Sequence, residues 1–170
     1  SGPVRGFSSA ELAEADIRLP GGAWAQGLGF TFLTSVIDSF HGAVRMNVHV
    51  KEADDPKLVL EALAGVAERV PAPNLYLAAS PAVLQLAIEI CPALPRCCLD
   101  TFNDPEGMMR SATELACERV QFRRTTVTEA HIRTALGLGL VPNLYYADEA
   151  ADAERALGWG ILGLLTNDIG

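Results

Sequence analysis

The residues best suited to chemistry lie on or just after predicted β-strands, and the first group is Asn47, His49 and Lys51. These three alternate with apolar residues along the predicted strand 43–51, so they share one face of it. Because Lys is rarely buried unless it is paired, we predict that this face points into a binding site. The alternative is an edge strand with a wet face. A Lys ammonium here could neutralise charge on an anionic ligand.

Four further candidates follow later strands. Arg123 ends one strand and could meet a phosphate, or it could be a solvated rim residue. Tyr145 ends the next strand, where a core aromatic is an equally good reading. Asp148 and Asn167 follow adjacent strands and could hold a ligand hydroxyl, or they could cap the following helices. We predict that all four open onto the same mouth as Lys51.

The elements that would position these residues are alternating strands and helices. Almost wholly apolar strands joined by helices indicate a parallel sheet that helices cover. Six strands are predicted, at intervals typical of a βα barrel, near residues 47, 76, 97, 121, 144 and 163. A closed barrel needs eight strands, so the predicted fold class is α/β, a partial TIM barrel that lacks two βα units.

Composition excludes several functions. The chain has 170 residues, enough for one domain, and a net charge of −8 with scattered Lys and Arg, so no basic stripe for nucleic acid is present. No apolar run approaches a membrane span. The cysteines, Cys91, Cys97, Cys98 and Cys117, do not have zinc-binding spacing. We predict reduced, buried thiols and a cytoplasmic location, with a vicinal redox pair as the alternative.

Two segments near the C-terminus, Gly139–Asp148 and Gly160–Asp168, resemble the last two strands of glycerophosphodiester phosphodiesterases, which are TIM-barrel hydrolases. Residues 2–12 resemble the linker after the second strand of that family, so the resemblance implies that the first two βα units are the missing ones. The family ends its last strands with Trp-Thr-Val-Asn and Thr-Asp, which Tyr145–Asp148 and Thr166-Asn167 replace here. The chain therefore resembles a divergent branch.

The resemblance also implies roles for individual residues. Lys51 would bind the substrate phosphate, and Tyr145 would pack on the alcohol group. His49 replaces a Glu that ligates a divalent metal in the family, and His49 would then be the metal ligand. Mg²⁺ and Ca²⁺ prefer oxygen, so this replacement weakens the match to the family's cofactor.

The catalytic motifs of the family, His-Arg-Gly with its acidic residues on the first strand and His-Asp on the second, are absent from the sequence. No catalytic residue is therefore predicted, and His41 and His131 are interpreted as surface or packing residues. The hypothesis is hydrolysis of a small-molecule glycerophosphodiester, in phospholipid metabolism, by the complete protein. The alternative is a non-catalytic assembly module. In both cases the open edge of the sheet must be covered, and we predict that a homodimer or a complementing N-terminal segment covers it.

Overall fold

The structure is a computed structural model that describes residues 6–18, 22, 24–25, 29–51, 55–70, 74–99 and 103–168. The beginning of the predicted linker motif, residues 2–5, lies outside them. The chain divides into two compact units, Ser1–Phe40 and His41–Gly170.

The first unit contains two helices and a short antiparallel pair of strands, namely α1 (Ser9–Ala13), β1 (Ile17–Arg18), β2 (Trp24–Ala25) and α2 (Leu33–Phe40). A capping box starts α1, as the sequence predicts. The Glu11 N–H donates to Ser8 Oγ at 3.3 Å, and the Ser8 N–H donates to Glu11 Oε2 at 2.7 Å. The two-residue strands have no periodic signal and were not predicted.

The second unit is a parallel sheet of six strands in the sequential order β3-β4-β5-β6-β7-β8. The strands are β3 (Met46–Val50), β4 (Leu75–Ala79), β5 (Arg96–Leu99), β6 (Arg119–Arg123), β7 (Val141–Tyr145) and β8 (Gly163–Leu165). The helices between them are α3 (Pro56–Ala67), α4 (Pro81–Ile90), α5 (Pro105–Glu114), α6 (Glu129–Gly137) and α7 (Ala150–Gly158).

The starts of these helices follow from local chemistry. Asp55 accepts a hydrogen bond from the Lys57 N–H at 3.0 Å, and Asp104 accepts one from the Gly107 N–H at 2.9 Å. Such N-caps satisfy donors that have no partner within the helix. Ser80 occupies the predicted N-cap position of α4, but its side chain makes no capping hydrogen bond. Ser80 directly follows β4 and so lies at the carboxyl end of the sheet.

The outer face of the sheet is largely apolar, and the inner face carries polar side chains beside a buried cluster of Tyr76, Ala78, Cys97 and Leu99. Hydrogen bonds across the interior show that the sheet curls. Asn47 Nδ2 on β3 donates to Gln121 Oε1 on β6 at 3.1 Å. Asn143 Nδ2 on β7 donates to the Tyr76 hydroxyl on β4 at 3.2 Å. Neither pair joins neighbouring strands, so only a curved sheet brings them together. The predicted partial TIM barrel is confirmed.

No helix in the described part of the chain is long and apolar enough to cross a membrane.

Candidate functional site

A cavity of about 560 Å³ opens at the carboxyl ends of the six strands. We call it the mouth cavity, and it is lined by His49, Val50, Lys51, Ser80, Leu99, Gln121, Arg123, Tyr145, Tyr146 and Leu165. Every strand from β3 to β8 contributes a residue that ends or follows it, because parallel strands finish at one edge. Lys51, Arg123 and Tyr145 therefore meet in one place, as the alternation along their strands predicts.

The mouth cavity is cationic. Lys51 and Arg123 are both solvent-exposed, and the described residues that line the cavity include no Asp or Glu. Arg123 Nε donates to the Tyr145 hydroxyl at 3.3 Å, and its guanidinium carbon lies 6.0 Å from the Tyr145 ring centroid. Tyr145 therefore orients the guanidinium at the rim. Two cationic side chains at one cavity favour an anionic ligand.

His49 lies beside Lys51 in the mouth cavity. Burial, and secondly the positive charge of Lys51, lower the pKa of His49 below its ordinary value. The imidazole is therefore neutral at pH 7, which is the form that can ligate a metal.

The described residues do not fit the divalent metal that the resemblance implies. No three His, Cys, Asp or Glu side chains of the described segments lie together as a metal-ligand group. His49 would be a single nitrogen ligand beside an ammonium, whereas Mg²⁺ and Ca²⁺ take several oxygens. The role of His49 as a metal ligand stays a prediction.

Asp148 and Asn167 bind each other at the rim. The Asn167 N–H donates to Asp148 Oδ1 at 2.7 Å, and Asn167 Nδ2 donates to Asp148 Oδ2 at 3.1 Å. Thr166 Oγ1 also donates to Asp148 Oδ1, at 3.1 Å. These bonds, that of the Asn167 backbone first, lower the pKa of Asp148. We call these three residues the rim clamp, since they tie the segment after β7 to the segment after β8.

The rim clamp lies beside a second cavity rather than in the mouth cavity. Asp148 lines a space of about 510 Å³ that shares Arg123, Tyr145 and Tyr146 with the mouth cavity. The side chains of Asp148 and Asn167 bind each other, so neither of them caps a helix, which was the alternative role for both. The structure therefore gathers Lys51, His49, Arg123 and Tyr145 at one cavity and places Asp148 next to it.

His131 and the four cysteines have structural roles. His131 completes a capping box of α6, in which its Nδ1 accepts from the Thr128 N–H at 3.2 Å. All four cysteines are free and buried, as predicted. Burial raises the pKa of Cys97 far above its ordinary value and that of Cys117 to about 11. Thiolates, the nucleophilic form, are therefore scarce near pH 7.

Sequence reasoning did not single out three polar residues of the mouth cavity, namely Ser80, Gln121 and Tyr146. Gln121 carried a signal, because it alternates with Val120 and Phe122 and so belongs to the inner face. Ser80 was read only as a helix cap. Tyr146 lies in no strand, and nothing in its sequence context places it in the cavity.

A curled parallel sheet under helices, with a cationic cavity at its carboxyl edge, defines a partial TIM barrel. Solved structures with this fold include a protein from Silicibacter pomeroyi assigned as a glycerophosphoryl diester phosphodiesterase, at a TM-score of 0.82 and 19% identity. The alignment covers 96% of this chain and 65% of that chain.

Two further solved structures agree. A phosphodiesterase from Oleispira antarctica, in complex with the product sn-glycerol-3-phosphate, has a TM-score of 0.74 and 14% identity over 97% of this chain and 68% of that chain. A glycerophosphodiester phosphodiesterase from Agrobacterium tumefaciens has a TM-score of 0.74 and 16% identity over 98% and 71%. The resemblance read from the sequence is confirmed at the level of the fold.

This chain spans about two thirds of the length of these relatives. No protein-family model and no curated protein sequence matches it. Likeness at this identity shows a shared fold, and function must be argued from the site.

Proposed function

We propose that the mouth cavity binds the phosphate of a small-molecule phosphodiester, with Lys51 and Arg123 as its cationic groups and Tyr145 against the alcohol part. The observation that carries this proposal is that cationic side chains from two separate strands, Lys51 after β3 and Arg123 at the end of β6, line one cavity. The Oleispira antarctica phosphodiesterase, which has this fold, holds sn-glycerol-3-phosphate. That ligand supports a glycerophosphodiester as the substrate class.

The proposed reaction in the complete protein is hydrolysis of that phosphodiester, an activity of phospholipid metabolism. Hydrolysis needs charge neutralisation at phosphorus and also proton transfer. Lys51 and Arg123 supply the first. In this proposal the proton-transfer groups come from two further βα units that would complete the barrel, and residues 1–170 act with them as one glycerophosphodiester phosphodiesterase-like domain. This chain by itself is then a binding domain without turnover.

The sheet edges support a partner for this chain. Strands β3 and β8 each pair with one neighbouring strand among the described residues, so each has one side on which no described strand pairs with its backbone. Open edges of this kind recruit further strands. We propose that a complementing N-terminal segment covers them. A homodimer joined through the same edges, which would make the chain a non-catalytic assembly module, is the second candidate.

Phosphate binding by the 170-residue chain tests the first part of the proposal. Isothermal titration with sn-glycerol-3-phosphate should give saturable binding, and Lys51→Ala should weaken it by about tenfold or more, since hydrogen bonds to charged groups contribute about 1.5–3 kcal/mol. Lys57→Ala is the matched control, because Lys57 lies on α3 and pairs with Glu61 on the surface. Equal binding by wild type and Lys51→Ala would contradict the proposal.

Turnover and assembly are tested together. The chain, with and without a separately expressed segment of two βα units, is assayed with glycerophosphodiesters in the presence and absence of Mg²⁺ or Ca²⁺. We expect turnover only with the segment. Sedimentation distinguishes the complementing segment from the homodimer. A concentration-dependent dimer without turnover would favour the assembly module. A monomer that does not bind the segment would contradict both candidates.

A further inference from the structure

The side chain of Gln121 is the buried polar group of the mouth cavity whose bonding is incomplete. Gln121 is central in β6 and only 2% exposed, yet it lines the cavity. Its Oε1 accepts the hydrogen bond from Asn47 Nδ2 at 3.1 Å. The amide is therefore held from one side, with Oε1 toward Asn47 and Nε2 away from it.

The other end of the amide, Nε2, faces open space. Among the described residues no acceptor lies within hydrogen-bond distance of Nε2. The fully enclosed unpaired side-chain atoms of the described chain are Asn47 Oδ1 and Asn143 Oδ1, and Gln121 Nε2 is not one of them. Since Gln121 is otherwise buried, the space that Nε2 reaches is the mouth cavity that it lines.

An amide donor on the floor of a cationic cavity has a definite chemical preference. The NH₂ group donates only, so its partner must be an acceptor. Lys51 and Arg123 line the same cavity, so the acceptor they attract together carries negative charge. An oxyanion accepts such a hydrogen bond strongly, and buried donors usually have a partner.

We infer that Gln121 donates a hydrogen bond to a phosphate oxygen of the bound ligand, and that Asn47 is the positioning residue that holds the amide in this orientation. This inference rests on the proposed phosphate site and names a further binding group within it. The side chain of Asn47 makes one hydrogen bond among the described residues, the one to Gln121. Asn47 therefore acts on the ligand through Gln121.

The first test compares two substitutions of Gln121 by titration of the 170-residue chain with inorganic sulfate, whose charge is constant from pH 7.5 to pH 4.5. Gln121→Met keeps the length of the side chain but removes the donor, and it should weaken binding about tenfold or more at all pH values. Gln121→Glu keeps the acceptor for Asn47 and places a carboxylate at the cavity floor. It should abolish binding near pH 7.

The pH profile of Gln121→Glu separates a binding role from a structural one. As the pH falls toward about 4.5 the new carboxyl group takes up a proton, becomes a donor and should recover affinity relative to wild type. His49, Lys51, Arg123 and Tyr145 face the same cavity in both proteins, so the ratio of the two affinities isolates position 121. A ratio that does not change with pH would overturn the inference.

A double-mutant cycle tests Asn47. Asn47→Ala should weaken sulfate binding by about threefold in wild type, an estimate that takes a neutral hydrogen bond at the low end of its range, and should have no further effect in Gln121→Met. Additive losses would overturn the positioning role.

If wild type binds sulfate and Lys51→Ala weakens it while Gln121→Met does not, the inference is wrong and the proposed function stands. If wild type binds neither sulfate nor sn-glycerol-3-phosphate, both are wrong.

Discussion

The two faces of the six-stranded sheet are built from the same strands but make different kinds of contact. On β6, Val120 and Phe122 point outward and are both fully buried under helices. Between them Gln121 points inward and is buried as well, but among polar groups. On β7, Leu144 and Asn143 repeat the same arrangement. Along one strand, therefore, an apolar side chain packed under the helices and a polar side chain on the inner face are only one residue apart.

The two faces differ in how strongly their interactions specify the curvature of the sheet. Apolar burial on the outer face is non-directional, so it fixes which layer a helix joins but tolerates small changes of angle. The inner pairs, Asn47 with Gln121 and Asn143 with Tyr76, are directional and join strands three apart in the sheet. Their geometry is met only at one curvature. The outer face stabilises the layers, and the inner face selects the curl that makes a cavity.

The largest effect should come from emptying the outer face. Phe122→Ala removes a fully buried ring and should lower the free energy of unfolding by about 3–5 kcal/mol, since the helices over it collapse only in part. Chemical denaturation measures this. The control is Leu58→Ala, because Leu58 is 64% exposed and its loss should change stability by no more than about 0.5 kcal/mol. Equal losses would show that the outer face is not the core.

Crowding the inner face should have a smaller effect. A Cβ on Gly163 would lie 2.4 Å from Asn143 Oδ1, so Gly163→Ala must push Asn143 away and weaken its bond to the Tyr76 hydroxyl. We expect a loss of about 1–3 kcal/mol in the free energy of unfolding. The matched control is Gly65→Ala, within α3, where a Cβ meets nothing within 4 Å and helix propensity should add about 1 kcal/mol of stability.

The Gly163→Ala substitution can act by weakening the bond between Asn143 and Tyr76 or by the strand contact alone, and the Tyr76→Phe background separates these two effects. This substitution removes the hydroxyl that Asn143 binds and leaves the backbone of β8 unchanged. If the cost of Gly163→Ala arises through the Asn143 bond, it should shrink in Tyr76→Phe. An unchanged cost would assign the effect to the strand contact alone.

The sequence predicts the sheet, its parallel order and the inner position of Asn47, His49 and Lys51, because two-residue alternation is a local property. It does not predict which inner residues touch. The contacts of Asn47 with Gln121 and of Asp148 with Asn167 span 74 and 19 residues and depend on the curl of the sheet and on the path of two connections. Asp148 was expected to face a ligand or cap a helix, and neither expectation could include a partner brought in by β8.

At the rim, where the inner face meets water, directional bonds should matter least and should show themselves through pH. The Asn167 N–H, then its side chain, lower the pKa of Asp148 in the folded protein below its ordinary value. The carboxylate therefore contributes stability that is present above the unfolded pKa, about 3.9, and that is lost as the pH falls through the lower folded value. Asp148→Asn should be slightly less stable than wild type at pH 7, because an amide cannot accept all the rim-clamp bonds.

That difference should close in acid, since wild type loses the contribution there and the amide never had it. Thermal unfolding from pH 7 to pH 2 measures the gap. Glu149→Gln is the matched control, because Glu149 is the next residue and its side chain makes no capping bond to α7, so it should follow the wild-type profile. If the gap between Asp148→Asn and wild type were the same at pH 7 and pH 2, the rim clamp would not depend on the charge of Asp148. The directional hydrogen bonds that shape the inner face would then not extend to the residues of the rim clamp.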